Sequence, residues 1–153
     1  RNWPEVETER VARIIDINLR GVIVGTQLAL PLMQRSGGGA IVNTASGAGM
    51  TPLPPQAVYA ATKAGVIHFT KSCIDLQTSH QVRVSCVCPG LTTTEMVQES
   101  GPDGPHPWLQ SVIDVLEMLE PEEIANAVLS LIQDPRSAGQ IVSVENQPRR
   151  TAS

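Results

Sequence analysis

From Pro4 to Arg35 apolar side chains recur at three- and four-residue steps, at Val6, Val11, Ile14, Ile15, Leu19, Val22, Ile23 and Leu30. That period predicts one long helix or two abutting ones, with Pro4 near the first turn, where its missing N–H costs least. Ser36-Gly37-Gly38-Gly39 breaks the pattern, and Ala40 to Ala45 follows as a short apolar run rich in β-branched residues, the signature of a buried strand. Gly47 to Pro55 is expected to be a loop, and helical spacing resumes from Gln56 to Ser79. Gln81 to Cys88 reads as a second strand, stopped by Pro89-Gly90. A polar, irregular stretch, Thr92 to His106, precedes two helical segments, Trp108 to Leu119 and Pro121 to Gln133. Gly139 to Val144 is a third strand, and Asn146 to Ser153 is expected to fray. Strands that alternate with helices require right-handed crossovers, so the pattern predicts an α/β fold with a parallel sheet covered on both faces.

Composition narrows the function classes. A chain of 153 residues suits a single domain, and its net charge of -4 offers no basic stripe to a phosphate backbone, which argues against nucleic acid as a partner. The longest apolar stretch, Gly21 to Met33, is interrupted by Thr26, Gln27 and Pro31 and is too short to span a bilayer, so no membrane segment is expected. Three cysteines are an odd number for a disulfide framework. They read as reduced and buried, with Cys86 and Cys88 expected on opposite faces of their strand, and this favours a cytoplasmic setting. His68, His80 and His106 are dispersed and form no metal-ligand pattern with the cysteines; His68, nine residues past Tyr59, is expected to point away from it. The first residue is Arg1, and the chain reads as starting inside a longer protein, any targeting signal then lying outside it.

The residues that change this picture most are Tyr59 and Lys63, four apart in a helical segment and therefore on one face. A tyrosine has a reference pKa near 10, so acid–base work close to neutral pH requires a shift of about 3 units, or about 4 kcal/mol. A lysine ammonium ~4 Å away supplies about that much at an effective dielectric of ~20. Alone, such a pair is usually an exposed aromatic beside a solvated charge. The surrounding residues give it more weight.

Asn18 in Asn18-Leu19-Arg20-Gly21, Ser46 at the end of the first strand, the Tyr59/Lys63 pair, and Pro89-Gly90 with Leu91-Thr92-Thr93-Thr94 after the second strand stand in an order that resembles the short-chain dehydrogenase/reductase family. The resemblance implies the C-terminal part of a Rossmann-type doubly wound sheet, three strands with flanking helices, as one partial domain over residues 1–153. It also implies roles: Tyr59 moves the proton of a substrate hydroxyl or carbonyl, Ser46 holds and polarises that oxygen, Lys63 supports Tyr59 and binds the nicotinamide ribose, and Asn18 anchors a water relay behind Lys63. Pro89, Gly90, Thr92 and Thr94, with Tyr59 and Lys63, would contact the cofactor, NAD or NADP. Each has a plainer alternative: local turn bonding for Ser46, backbone bonding or a helix kink for Asn18, simple loop structure for Thr94.

The Gly-rich turn that binds a dinucleotide pyrophosphate is not found. Gly37-Gly38-Gly39 precedes a strand, and Gly47-Ala48-Gly49 runs into a Pro-rich loop instead of opening a helix. The chain by itself is therefore expected to be inactive. It is also expected to expose the apolar edge of its first strand and so to be poorly soluble or oligomeric. Met96, Val97, Trp108, Leu109, Val112 and Leu116 give the presumptive substrate segment an apolar lining, which predicts a small apolar alcohol or ketone. By resemblance, the helices at Val11 to Leu32 and Ala57 to Leu76 pair subunits, giving a homodimer or homotetramer. The tail, from Pro121 through Gly139, resembles the 15-hydroxyprostaglandin dehydrogenase group, which favours NAD. The rival reading is a non-catalytic oligomerisation module that pairs with full-length subunits; epimerases and dehydratases of the extended family are set aside because they carry a larger C-terminal domain.

Overall fold

A computed structural model describes residues 3–101 and 103–149 of the chain. Helix α1 (Thr8–Ile15) runs through a π-helical turn, Asp16–Arg20, into α2 (Gly21–Arg35), so the predicted long helix is continuous but locally widened at Asn18. Pro4 lies outside it, because the helix starts only after Glu7. Strand β1 (Gly39–Thr44) leads through two short 3-10 turns, Gly47–Gly49 and Pro54–Gln56, to α3 (Ala57–Ser72). The helical spacing expected to continue to Ser79 breaks at Cys73, and a separate short helix, α4 (Leu76–His80), follows. Gln81, with a positive φ of 59°, turns the chain into β2 (Val82–Pro89). The polar stretch after β2 contains one turn of helix, α5 (Glu95–Gln98), and leads to α6 (Pro107–Ile113), α7 (Pro121–Gln133) and β3 (Ile141–Val144). Helix α7 begins with Pro121, which has no N–H to leave unpaired, and a reciprocal capping box between Glu120 and Glu123 satisfies the N–H groups of those two residues.

The three strands form one parallel sheet in the order β1-β2-β3, with Ile41 opposite Val84 and Cys86 opposite Ile141. This bears out the predicted fold class. β2 is flanked on both sides, and Val82, Val84, Cys86, Val87 and Cys88 are all fully buried. β1 has an equally apolar sequence but has a strand on one side only among the described residues, and Ala40, Ile41 and Val42 remain half-buried. Along α2, Val24, Leu28 and Leu32, at four-residue steps, form an exposed apolar stripe.

Two further expectations need correcting. Cys86 and Cys88 do not face opposite ways. The side-chain period of a strand is two, so residues i and i+2 share a face, and both thiols lie in the core cluster with Ala45 and Val66. The tail does not fray at Asn146: Glu117 N–H donates to Gln147 O at 2.8 Å, Leu116 bridges Pro148, and Arg149 N–H reaches Val115 O at 2.9 Å. Those partnerships also explain why α6 stops at Ile113 instead of reaching Leu119, since backbone groups of residues 115–119 bond to the tail and to Leu91 and Thr93. Residues 150–153 lie outside the described residues.

Candidate active site

Parallel strands bring their C-terminal ends to one edge of the sheet, where ligands bind in open α/β folds. At that edge β1 ends in Thr44, with Ala45 and Ser46 following, and β2 ends in Pro89, with Gly90 following. Ser46 Oγ accepts a hydrogen bond from the Ala48 N–H at 3.2 Å, capping the 3-10 turn Gly47–Gly49. The local turn role is therefore real, and the Ser46 hydroxyl proton is left free to donate elsewhere.

Helix α3 lays Tyr59, Lys63, Val66 and Thr70 along one stripe toward the sheet. Val66 and Thr70 are fully buried, and Tyr59 and Lys63 half-buried at the open end. Lys63 Nζ stands 5.7 Å from the centroid of the Tyr59 ring and donates to the Thr44 carbonyl at 3.1 Å. Burial holds the Lys63 ammonium below the ordinary lysine range, opposed by the nearby Cys86 and Cys88. The lysine is thus fixed between the tyrosine and the strand end that carries Ser46.

Asn18 lies in the π turn and its Nδ2 donates to Thr62 Oγ1 at 3.4 Å, so it meets α3 one residue before Lys63 instead of touching Lys63 itself. Single π turns recur at functional positions because they re-aim one backbone segment inside an otherwise regular helix. The sequence gives no sign of this widening beyond the asparagine.

Gly49 is a site residue that sequence reasoning missed. A Cβ there would sit 2.6 Å from the Lys63 carbonyl carbon, so only glycine lets the loop after Ser46 lie directly on α3. The pattern Gly47-Ala48-Gly49 was visible, but without the α3 backbone in place it reads only as a turn.

After β2, Thr92 Oγ1 donates to Gly90 O at 3.2 Å and Thr94 Oγ1 to Thr92 O at 3.3 Å, which gives the three-threonine loop an internal structure. Thr94 is exposed and precedes α5. Asn146, another residue missed, holds the base of this loop. Its Oδ1 accepts from Leu91 N–H at 2.7 Å, and its Nδ2 donates to Leu91 O at 2.7 Å and Glu117 O at 2.9 Å. His68 is exposed, as expected, and the described residues contain no group of three or more metal-ligating side chains placed to hold an ion. No helix among the described residues is long and apolar enough to cross a membrane.

A family model described as short chain dehydrogenase matches residues 1–104. The chain is 38% identical over 135 residues to a 3-oxoacyl-(acyl-carrier-protein) reductase of Synechocystis, a match that covers 86% of this chain and 53% of the relative. It is 35% identical over 145 residues to a 3alpha-hydroxysteroid dehydrogenase of Mediterraneibacter gnavus, covering 94% of this chain and 58% of the relative. The crystal structure of levodione reductase superposes with a TM-score of 0.82 at 28% identity, covering 95% of this chain and 60% of that one. The chain therefore spans between about half and three-fifths of the length of the proteins it matches.

Proposed function

The chain belongs to the short-chain dehydrogenase family, and from that premise we propose that Ser46, Tyr59 and Lys63 form the reacting centre of a nicotinamide-dependent oxidoreductase that interconverts a secondary alcohol and a ketone. The observation that carries the reading is the position of Lys63 Nζ, 5.7 Å from the Tyr59 ring and bonded to the Thr44 carbonyl two residues before Ser46. Tyr59 gives its phenolic proton to a ketone oxygen, or takes one from an alcohol, while the Ser46 hydroxyl donates to the same oxygen and holds it in place. Lys63 lends positive charge to the tyrosinate form. When bound, the nicotinamide supplies or accepts the hydride.

The residues present fit the nicotinamide end of that cofactor. We propose that Lys63 and Tyr59 on α3, Pro89 at the end of β2, and Gly90, Thr92 and Thr94 after it border the open edge of the sheet where the nicotinamide and its ribose would lie. The glycine-rich turns serve other ends than cradling a pyrophosphate: Gly38, at φ +103°, lies against the Gln81 carbonyl, and Gly49 against Lys63. The chain alone is accordingly proposed to hold the cofactor weakly and to turn over little. Either NAD or NADP suits these residues.

The substrate is proposed to be neutral and apolar. The segment from Thr92 to Leu119, which borders the site, carries Glu95, Glu99, Asp103, Asp114 and Glu117 and no lysine or arginine, so an anionic carrier arm is repelled there. An open apolar groove of about 370 Å³, lined by Trp3, Val11, Ile15, Leu19, Ala57, Val58, Ala61 and Thr62, supports the second proposal, that the continuous helix through α1 and α2 and the helix α3 pair subunits into a homodimer or homotetramer.

A single set of measurements tests these assignments. Titrating the chain with NADH and NADPH while following Trp3 and Trp108 fluorescence is expected to show weak or no saturable binding. Fusing the dinucleotide-binding half of a relative ahead of Arg1 is expected to restore ketone reduction, and Tyr59→Phe to lower it by about 10²–10⁴-fold. A fusion that binds NADH tightly but shows no turnover sensitive to Tyr59 overturns the proposal.

A further inference from the structure

One polar network lies inside the apolar layer between the sheet and its helices. Thr26 on α2 donates from Oγ1 to Asn43 Oδ1 at 3.4 Å, and Asn43 on β1 donates from Nδ2 to Thr70 Oγ1 on α3 at 3.0 Å. All three residues are buried, at 4%, 7% and 0% exposure. Burying polar groups so deeply is unfavourable unless they are paired, and shape-matched apolar side chains would fill the same space at little or no cost to stability. What a hydrogen-bonded amide adds is direction: an apolar face tolerates sliding and rotation, whereas a donor and acceptor on facing elements define one register.

The placement of this network matters for the site. Thr70 is seven residues, about two turns, beyond Lys63 on the stripe that also carries Tyr59. On β1, Asn43 is adjacent to Thr44, whose carbonyl accepts from Lys63 at 3.1 Å, and Ser46 follows two residues later. β1 therefore holds α3 at two points from neighbouring residues, the far one by the Asn43 amide and the near one by the Thr44 carbonyl. Thr26 fixes the Asn43 amide from the other helix.

We infer that Thr26, Asn43 and Thr70 form a buried clamp that sets the rotation and register of α3 on β1, and thereby positions Lys63 and Tyr59 relative to Ser46. These three are positioning residues, acting through Lys63. The clamp rests on the oxidoreductase reading only for its catalytic consequence, and its own test needs no turnover.

The test reads the Lys63 amine directly in the 153-residue chain by NMR of isotope-labelled lysine. Lys63 and Lys71 are the only lysines, so Lys71→Arg assigns the signals. Tyr59, Cys86 and Cys88 are the titratable neighbours of Lys63 and are left in place. Thr70→Val removes one hydroxyl at constant shape, and the triple variant Thr26→Val, Asn43→Leu, Thr70→Val replaces the whole network by apolar groups. In both, the Lys63 transition is expected to move up toward that of a solvated lysine and its signal to broaden, because α3 no longer seats Lys63 against β1. Thr70→Ser, which keeps the hydroxyl, is expected to behave as the parent. The triple variant is expected to melt no lower than the parent. A Lys63 transition unmoved in Thr70→Val, or a triple variant that melts lower, would overturn the inference and make the network a stabilising one only.

Discussion

The β1–α3–β2 unit and the segment from Leu91 to Leu119 both border the candidate site, yet they are held by opposite means. The first is ordered by side chains at regular spacing: a fully buried β2, the stripe Tyr59, Lys63, Val66 and Thr70, and two adjacent anchors on β1. The second has one-turn and two-turn helices, exposed side chains such as Met96, and an order that comes from backbone hydrogen bonds among Leu91, Thr93, Leu119 and the tail, with the Asn146 amide tying Leu91 to Glu117. The difference matches a division of labour. Residues that move protons must keep their geometry, whereas a substrate-facing segment needs a fixed base and a surface that can adapt.

The sharpest way to break the ordered unit is Gly49→Val. A side chain there meets the α3 backbone at Lys63, which cannot yield as a flexible side chain would, so the loop carrying Ser46 must lift. Overpacking of this kind costs about 1–3 kcal/mol or more, and we expect the upper end, seen as a lower denaturant midpoint with an unchanged slope. A stability equal to the parent would mean that the loop does not rest on α3.

Asn146→Ala probes the other region. It strands the Leu91 N–H and the Glu117 carbonyl, while the Leu91 carbonyl keeps its bond from the Leu119 N–H, and is expected to cost about 1–3 kcal/mol, at the lower end because water can reach part of the site. The loss should be local: amide exchange speeds up at Leu91, Thr93 and Leu119 while β2 stays protected. Uniformly faster exchange across β2 would refute the claim that the two regions are separately held.

How much of this was legible differs between the same two regions. Short apolar, β-branched runs bounded by Gly and Pro located the three strands, helical spacing located α7, and the order of Asn18, Ser46, Tyr59 and Lys63 marked the candidate site. The π turn at Asn18 was not legible, since widening a helix by one residue leaves its apolar period almost intact. Asn146 was not legible either. A polar residue past the last strand looks like a tail until a distant loop presents it with three backbone groups, 55 and 29 residues away in the chain. Gly49 needed the same knowledge of what lies across from it.

Lys63→Met gives a smaller effect of opposite sign. Burial lowers the Lys63 pKa, so the folded state binds its proton less readily than the unfolded chain does. The resulting penalty is fully present below the folded pKa and is relieved as pH rises from there to the unfolded lysine value. Replacing the amine by an apolar side chain of similar length should therefore raise the melting temperature at neutral pH, with the gain shrinking as the solution becomes strongly alkaline. A variant less stable than the parent at neutral pH would show that the bond to Thr44 outweighs the burial of the charge.

The smallest expected change is Thr94→Ala. Thr94 is exposed, and its hydroxyl donates only to Thr92 O, three residues before α5 begins to turn away, so stability should change by less than about 0.5 kcal/mol. If Thr94 contacts the cofactor as proposed, the same substitution in the fusion protein raises the KM for NADH or NADPH several-fold while leaving that for the ketone unchanged. Equal KM values in the two proteins would assign Thr94 to the loop alone. They would also confine the cofactor-facing part of the 91–119 segment to its first residues, those that Asn146 holds in place.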